Sequence, residues 1–180
     1  MARLLQYSLV STSDKEWHEG VVRRSPRGNL WVAKLIVQSS TTGRILYLKT
    51  KPRFEHDRAS RPDFPGGYVD DTGSRRGLAE EPQDTARREA IEETKFEEIT
   101  APLHLHTQVG ARSTGGLPID IEWFLSHISG EPVPTLNDHE HIDSWWDHAE
   151  HAPAIFGVSA LAVGMQAILT LHANRLRTGA

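Results

Sequence analysis

Three glutamates, Glu89, Glu92 and Glu93, crowd together in the stretch E-E-P-Q-D-T-A-R-R-E-A-I-E-E-T-K-F, residues 80–96. If the stretch is helical, residues three and four apart share a face, so these carboxylates form one stripe while Ala86 and Ala90 can lie against a core. Carboxylates this close repel unless a positive charge stands between them. Hard divalent cations such as Mg²⁺ or Mn²⁺ take oxygen donors of this kind, usually one or two carboxylates with water and phosphate oxygens filling the shell. The competing reading is a solvated helix face on which Arg88 pairs with Glu92 one turn later, worth only ~0.3–0.5 kcal/mol.

The element that must carry these side chains is readable. Pro82 suits the first turn of a helix, where the donor it lacks would be unpaired anyway, and the residues after it are mostly good helix formers. The whole string decides between the two readings. Arg88-Glu89-Ala90-Ile91-Glu92-Glu93, with Glu80 eight residues before Arg88 and Pro65-Gly66-Gly67 upstream, closely resembles the Nudix box of the Nudix hydrolases, G-x5-E-x7-R-E-U-x-E-E-x-G-U, where U is a bulky apolar residue. Glu80, Arg88, Glu89, Glu92 and Glu93 fall on the motif at its spacing, and Phe96 fills its last apolar position.

The chain departs from the motif twice. Ser74 stands where the first Gly belongs, and Gly67 is separated from Glu80 by twelve residues instead of five. Residues 68–79 then read as a lengthened loop that leaves Gly67 in its structural role. Lys95 replaces the Gly that lets the chain turn left-handed at the helix end, at a cost to other residues of roughly 1 kcal/mol. Two outcomes are open at Lys95: it extends the helix, or it sits near the negative end of the helix dipole and offsets part of that cost.

Composition bounds the rest. At 180 residues the chain is expected to be a single domain over 1–180, with 1–29 as an N-terminal extension and 153–178 as a C-terminal helix. Of 24 acidic residues eight fall between 80 and 98, against three of the 20 basic ones, so the net charge of −4 resides in that segment. A dedicated binder of duplex nucleic acid would carry a basic balance instead. With no cysteine, disulfides, thiolate sites and thiol nucleophiles are excluded, and so is the catalytic Cys of the Nudix-like isopentenyl diphosphate isomerases. Residues 1–10 are too weakly apolar for a signal peptide, and a cytoplasmic location is the expectation.

Along the chain, 4–10 reads as an edge strand, and L-W-V-A-K-L-I-V-Q, residues 30–38, as a buried strand whose hairpin partner is 44–51. Lys49, Lys51, Arg53, Arg58 and Arg61 form a basic cluster suited to phosphates, with Arg53 the preferred contact. Two more strands are expected at 101–109 and 119–127. The segment N-D-H-E-H-I-D-S-W-W-D-H, residues 137–148, loosely matches the acidic residue and Trp-containing strand common in Nudix hydrolases. Glu140 is preferred there over Glu122 as the glutamate supplied from outside the helix. The pairs His104/His106 and His139/His141 raise a Zn²⁺ site, but with ten histidines in the chain they read as structural or surface residues. Residues 154–171 carry no charge and read as a buried helix, with a second apolar side suited to a homodimer contact, in preference to a membrane span.

The resemblance implies an α/β/α sandwich with a central mixed sheet. It implies Mg²⁺- or Mn²⁺-dependent hydrolysis of a small nucleoside diphosphate linked to another moiety. Glu89 and Glu93 become the direct ligands, Glu92 a further ligand or a base acting through water, and the Gly67 carbonyl an added ligand. Arg88 orients the carboxylates beside Glu80, and Glu140 completes the shell or takes a proton from water. Tyr68, with Trp31, Trp123, Trp145 and Trp146, is a candidate to stack a base. The alternative is a Nudix-like domain that binds a nucleotide or metabolite without hydrolysing it.

Overall fold

The structure is a computed structural model that describes residues 22–52, 62–70, 80–112, 117–152 and 155. The expected strand at 4–10, Arg53, Arg58 and Arg61, the loop from 71 to 79 and nearly all of the apolar segment 154–171 lie outside the described residues.

Among the described residues, seven strands, one α-helix and a short 3-10 helix follow in the order β1 (Leu30–Ser39), β2 (Ile45–Thr50), β3 (Pro62–Asp63), β4 (Gly66–Tyr68), α1 (Pro82–Thr94), β5 (Leu103–Arg112), β6 (Pro118–Ile128), β7 (His141–Asp147) and the 3-10 helix Ala149–His151. They form one mixed sheet of order β3-β2-β1-β6-β5, with β4 paired to β1 and β7 to β2. β1 and β6 run parallel in unbroken register from Leu30↔Ile119 to Ser39↔Ile128. Central strands covered on both faces need apolar residues at nearly every position, which is why the run from Leu30 shows no clean alternation.

Each face has its own core. Leu30, Val32, Ile36, Tyr47, Phe64, Ile121 and Trp123 pack on one side. Trp31, Ala33, Leu35, Val37 and Phe124 pack on the other, where α1 lays down Ala86 and Ala90. Alanines at these positions bring the helix axis close to the sheet, so side chains flanking the contact are themselves drawn out of water.

The helix begins as its sequence requires, with Glu81 as N-cap and Pro82 in the first turn. It ends at Lys95, which does not extend it. Lys95 adopts the left-handed conformation at φ 62° and ψ 22° in place of the glycine, and its N–H bonds to Ile91 O. Its Nζ reaches back 3.1 Å to Glu92 O, so the side chain does act on the negative end of the dipole. Phe96 is thereby turned into the core against Trp146, ring centroids 6.4 Å apart.

The expected hairpin needs a correction. β2 meets β1 only at Gln38↔Ile45, and its main partner is β7, from Ile45↔Asp147 to Thr50↔His141. The β1 edge vacated by β2 is taken by β4, with Lys34 opposite Gly66 and Ala33 opposite Gly67. That divergence opens the sheet at the glycine turn and brings β7 toward the helix end. Among the described residues no helix is long and apolar enough to cross a membrane.

Candidate active site

Glu93 lies at the centre. Its position on α1 leaves it only 4 % exposed, and its Oε2 accepts a 3.2 Å hydrogen bond from the Gly66 N–H. Burial pushes its carboxyl well above the usual carboxylate range; Lys34 pulls the other way, and the charges of Glu89, Asp63 and Glu140 add to the rise. One turn earlier, Glu89 is raised for the same reason, burial first, with Arg88 opposing and Glu92 and Glu140 contributing.

The glycine turn explains how two buried carboxylates fit. A Cβ on Gly67 would stand 2.6 Å from both Cδ and Oε1 of Glu89, so any larger residue would push that carboxylate out of its present position. A Cβ on Gly66, at φ +143°, would meet Ala33 O at 2.1 Å. Beneath the turn, the half-buried Lys34 donates to Asp63 Oδ2 at 2.9 Å and Phe64 O at 3.0 Å, with Gly66 O at 3.4 Å. Burial alone would lower the Lys34 pKa, but the charges of Asp63 and Glu93 outweigh it and leave it raised.

Arg88 stands beside the carboxylates as a clamp. Its Nε and a terminal nitrogen hold both oxygens of Glu80 at 2.9 and 3.0 Å, the planar fork that a lysine does not offer. Another nitrogen of Arg88 lies 2.8 Å from Glu89 Oε1 and 3.1 Å from Glu92 Oε2. Glu92 does not share the inward direction of its neighbours: its side chain is 49 % exposed at the rim.

The second half of the site arrives from β7, through the helix end. The last carbonyls of a helix have no partner within it. Here Thr135 N–H bonds Thr94 O at 3.0 Å and Asn137 N–H bonds Glu93 O at 3.1 Å. The Asn137 carbonyl in turn accepts from the N–H groups of Glu140 at 3.1 Å and His141 at 2.9 Å. One residue thus ties the backbones of Glu93, Glu140 and His141 together. Their ligand atoms all lie within 4.8 Å of one another.

Glu122 is engaged elsewhere. Its carboxylate accepts from His104 Nε2 at 2.8 Å, Thr107 Oγ1 at 2.6 Å and Trp31 Nε1 at 3.3 Å. Neither His-x-His pair converges: His104 and His139 are exposed, whereas His141 is 5 % exposed beside the glutamates. That His141 is buried with its ring nitrogen within 4.8 Å of the Glu93 and Glu140 carboxylates was missed; the adjacent Glu140, not the spaced His139, was the signal for it. Lys34 was missed too, although a lone charge in an apolar run has to find partners once buried.

The aromatic candidates pack inward. Trp123 is fully buried and cannot stack a base, Trp145 stacks on Tyr47 with centroids 5.6 Å apart, and Trp146 donates to Pro132 O. Trp31 is nearly buried beneath the Arg23 guanidinium, 5.1 Å from its ring centroid. Tyr68 is half-buried against the core on the face opposite α1.

A divalent cation fits this set. Glu93 and Glu140 could offer carboxylate oxygens and His141 an imidazole nitrogen, all within 4.8 Å of one another, with the Glu89 carboxylate one turn away against a Gly67 cradle that a Cβ would fill. Buried carboxylates in mutual repulsion are stabilised by a cation or by protons.

Comparison with known proteins places the geometry in context. The family profile described as the NUDIX domain matches residues 30–162. No curated protein matches the chain significantly by sequence. Among solved structures, the Ap4A hydrolase of C. elegans in a binary complex is similar at TM-score 0.62 and 22 % identity, over 83 % of this chain and 98 % of that one. The dihydroneopterin triphosphate pyrophosphohydrolase of E. coli is similar at TM-score 0.59 and 18 % identity, over 83 % and 95 %. The MutT protein of Methanosarcina mazei Go1 gives TM-score 0.58 and 17 % identity, over 80 % and 94 %.

Proposed function

Since the chain belongs to the Nudix family, we propose that it is a divalent-cation-dependent pyrophosphohydrolase that cleaves the diphosphate bond of a small nucleoside diphosphate linked to another moiety. The single observation that supports this most is the convergence of Glu93 from the helix with Glu140 from the turn before β7. A solvated helix face would have no use for a buried carboxylate aimed at a second one.

Water attacks phosphorus, the bridging P–O bond breaks, and a nucleotide and a second phosphate species leave. A bound Mg²⁺ or Mn²⁺ supplies charge neutralisation on the anhydride and a lowered pKa for water. Glu89 and Glu93 hold the cation, with the Gly67 carbonyl as an added donor. Glu140 is assigned to complete the metal shell or to take the proton from water, and Glu92 at the rim is a further ligand or a base acting through a second water. Arg88 keeps Glu89 and Glu80 in place, and Arg53 is assigned to the substrate phosphates.

The experiment is a substrate panel: nucleotide sugars, dinucleoside polyphosphates and modified nucleoside triphosphates, each with Mg²⁺ or Mn²⁺ and again with EDTA. The panel follows the names of the similar structures, an Ap4A hydrolase and a triphosphate pyrophosphohydrolase. Cation-dependent phosphate or nucleotide release from at least one compound is expected. Tight binding of one compound with no turnover of any would reject hydrolysis in favour of a binding domain.

A further inference from the structure

We propose that His141 is a nitrogen ligand, and that with Glu93 and Glu140 it forms a mixed nitrogen and oxygen subsite selective for a first-row transition ion over Mg²⁺. This deepens the reading above, because it specifies the cation of the same centre.

Three observations carry it. The first is distance: donors around one ion at about 2.1 Å lie at most about 4.2 Å apart. The three ligand atoms already lie within 4.8 Å of one another, so a movement of at most about 0.7 Å per arm brings them to about 2.1 Å from one common centre. The second is burial. Glu93 and His141 are 4 % and 5 % exposed, so two of the three donors are shielded from bulk water. Mg²⁺ gives up its waters reluctantly and prefers oxygen, whereas the first-row transition ions take a nitrogen donor more readily, with Mn²⁺ the weakest of that series and therefore the most stringent probe. The third is anchorage. Asn137 accepts from the N–H groups of Glu140 and His141 and donates to Glu93 O, so the donor backbones are fixed relative to one another before any ion arrives. His141, the first residue of β7, is held further by pairing with Thr50 of β2. Among the described residues no other trio of His, Asp and Glu converges this closely.

The test uses the full chain, free of any histidine tag, titrated with Mn²⁺ and with Mg²⁺. Bound Mn²⁺ is read by pulsed electron paramagnetic resonance for nitrogen hyperfine coupling. The expected result is a nitrogen coupling that disappears in His141→Gln, and Mn²⁺ binding about tenfold or more tighter than Mg²⁺, with the gap narrowing in the variant. His141→Asn repeats the comparison if the Gln variant does not fold. If neither folds, the coupling and the ion preference of the unaltered protein decide. Absence of the coupling, its persistence in the variant, an unchanged ion preference or failure to bind Mn²⁺ overturns the proposal. Turnover with Mg²⁺ in a protein lacking the coupling leaves the hydrolase reading standing, and nitrogen-ligated Mn²⁺ without turnover does the reverse.

Discussion

Replacing Glu93 by Gln keeps the shape of the side chain and an oxygen for the Gly66 N–H, and removes only the charge. Turnover is expected to fall on the order of a hundredfold or more, since a catalytic cation supplies several kcal/mol. The melting temperature should hold, because a buried carboxylate facing Glu89 and Glu140 gains little from being ionised. Rates equal to wild type would remove Glu93 from the ligand set. The two glycines beside it separate fold from function. Gly66→Ala drives a Cβ into backbone at Ala33 O and should destabilise the sheet. Gly67→Ala meets only the flexible end of Glu89. It should therefore weaken cation affinity about tenfold while leaving the melting curve nearly in place, as titration calorimetry and scanning fluorimetry would show.

At the scale of the element, α1 closes on a lysine in a conformation that favours glycine. Lys95→Gly should relieve about 1 kcal/mol of backbone cost, less whatever the Lys95 to Glu92 carbonyl bond contributes. A net rise of roughly 2 °C in melting temperature is expected; a fall would mean that the side chain outweighs the backbone. Elements governed by local rules were legible in the sequence. Pro82 marked the helix start, and an apolar run interrupted only by Lys34 marked β1 as a buried strand. Arg88, Glu89 and Glu93 could be placed because one helix sets their spacing. What the sequence did not disclose depends on chain segments meeting at long range. Nearness in sequence suggested β2 as the hairpin partner of β1, yet β2 meets β1 at one position and pairs along its length with β7, about a hundred residues on. Lys34 and His141 come close to Glu93 only because β4 and β7 close around the helix end.

For the molecule as a whole, the buried carboxylates couple folding, protons and cation. Glu89 and Glu93 have folded pKa values above the ordinary 4.5. Between those limits the folded chain retains protons that the unfolded chain has released. The stability they contribute is therefore present at low pH and lost as pH rises through that window. A cation displaces the same protons, so its stabilising effect should grow with pH. Thermal unfolding with and without Mn²⁺ from about pH 5 to 8 measures this. A cation-induced shift that is flat or shrinks toward high pH would show that these carboxyls are not its ligands.

Asn137 ties the end of the acidic helix to the residues that face it, and this limits how the protein can be taken apart. Residues 80–96 transplanted onto a foreign scaffold would travel as half a device, carrying the stripe without its counterpart. Any graft meant to keep the chemistry must include the segment through β7, and must preserve the length of chain between Asn137 and Glu140 to the residue.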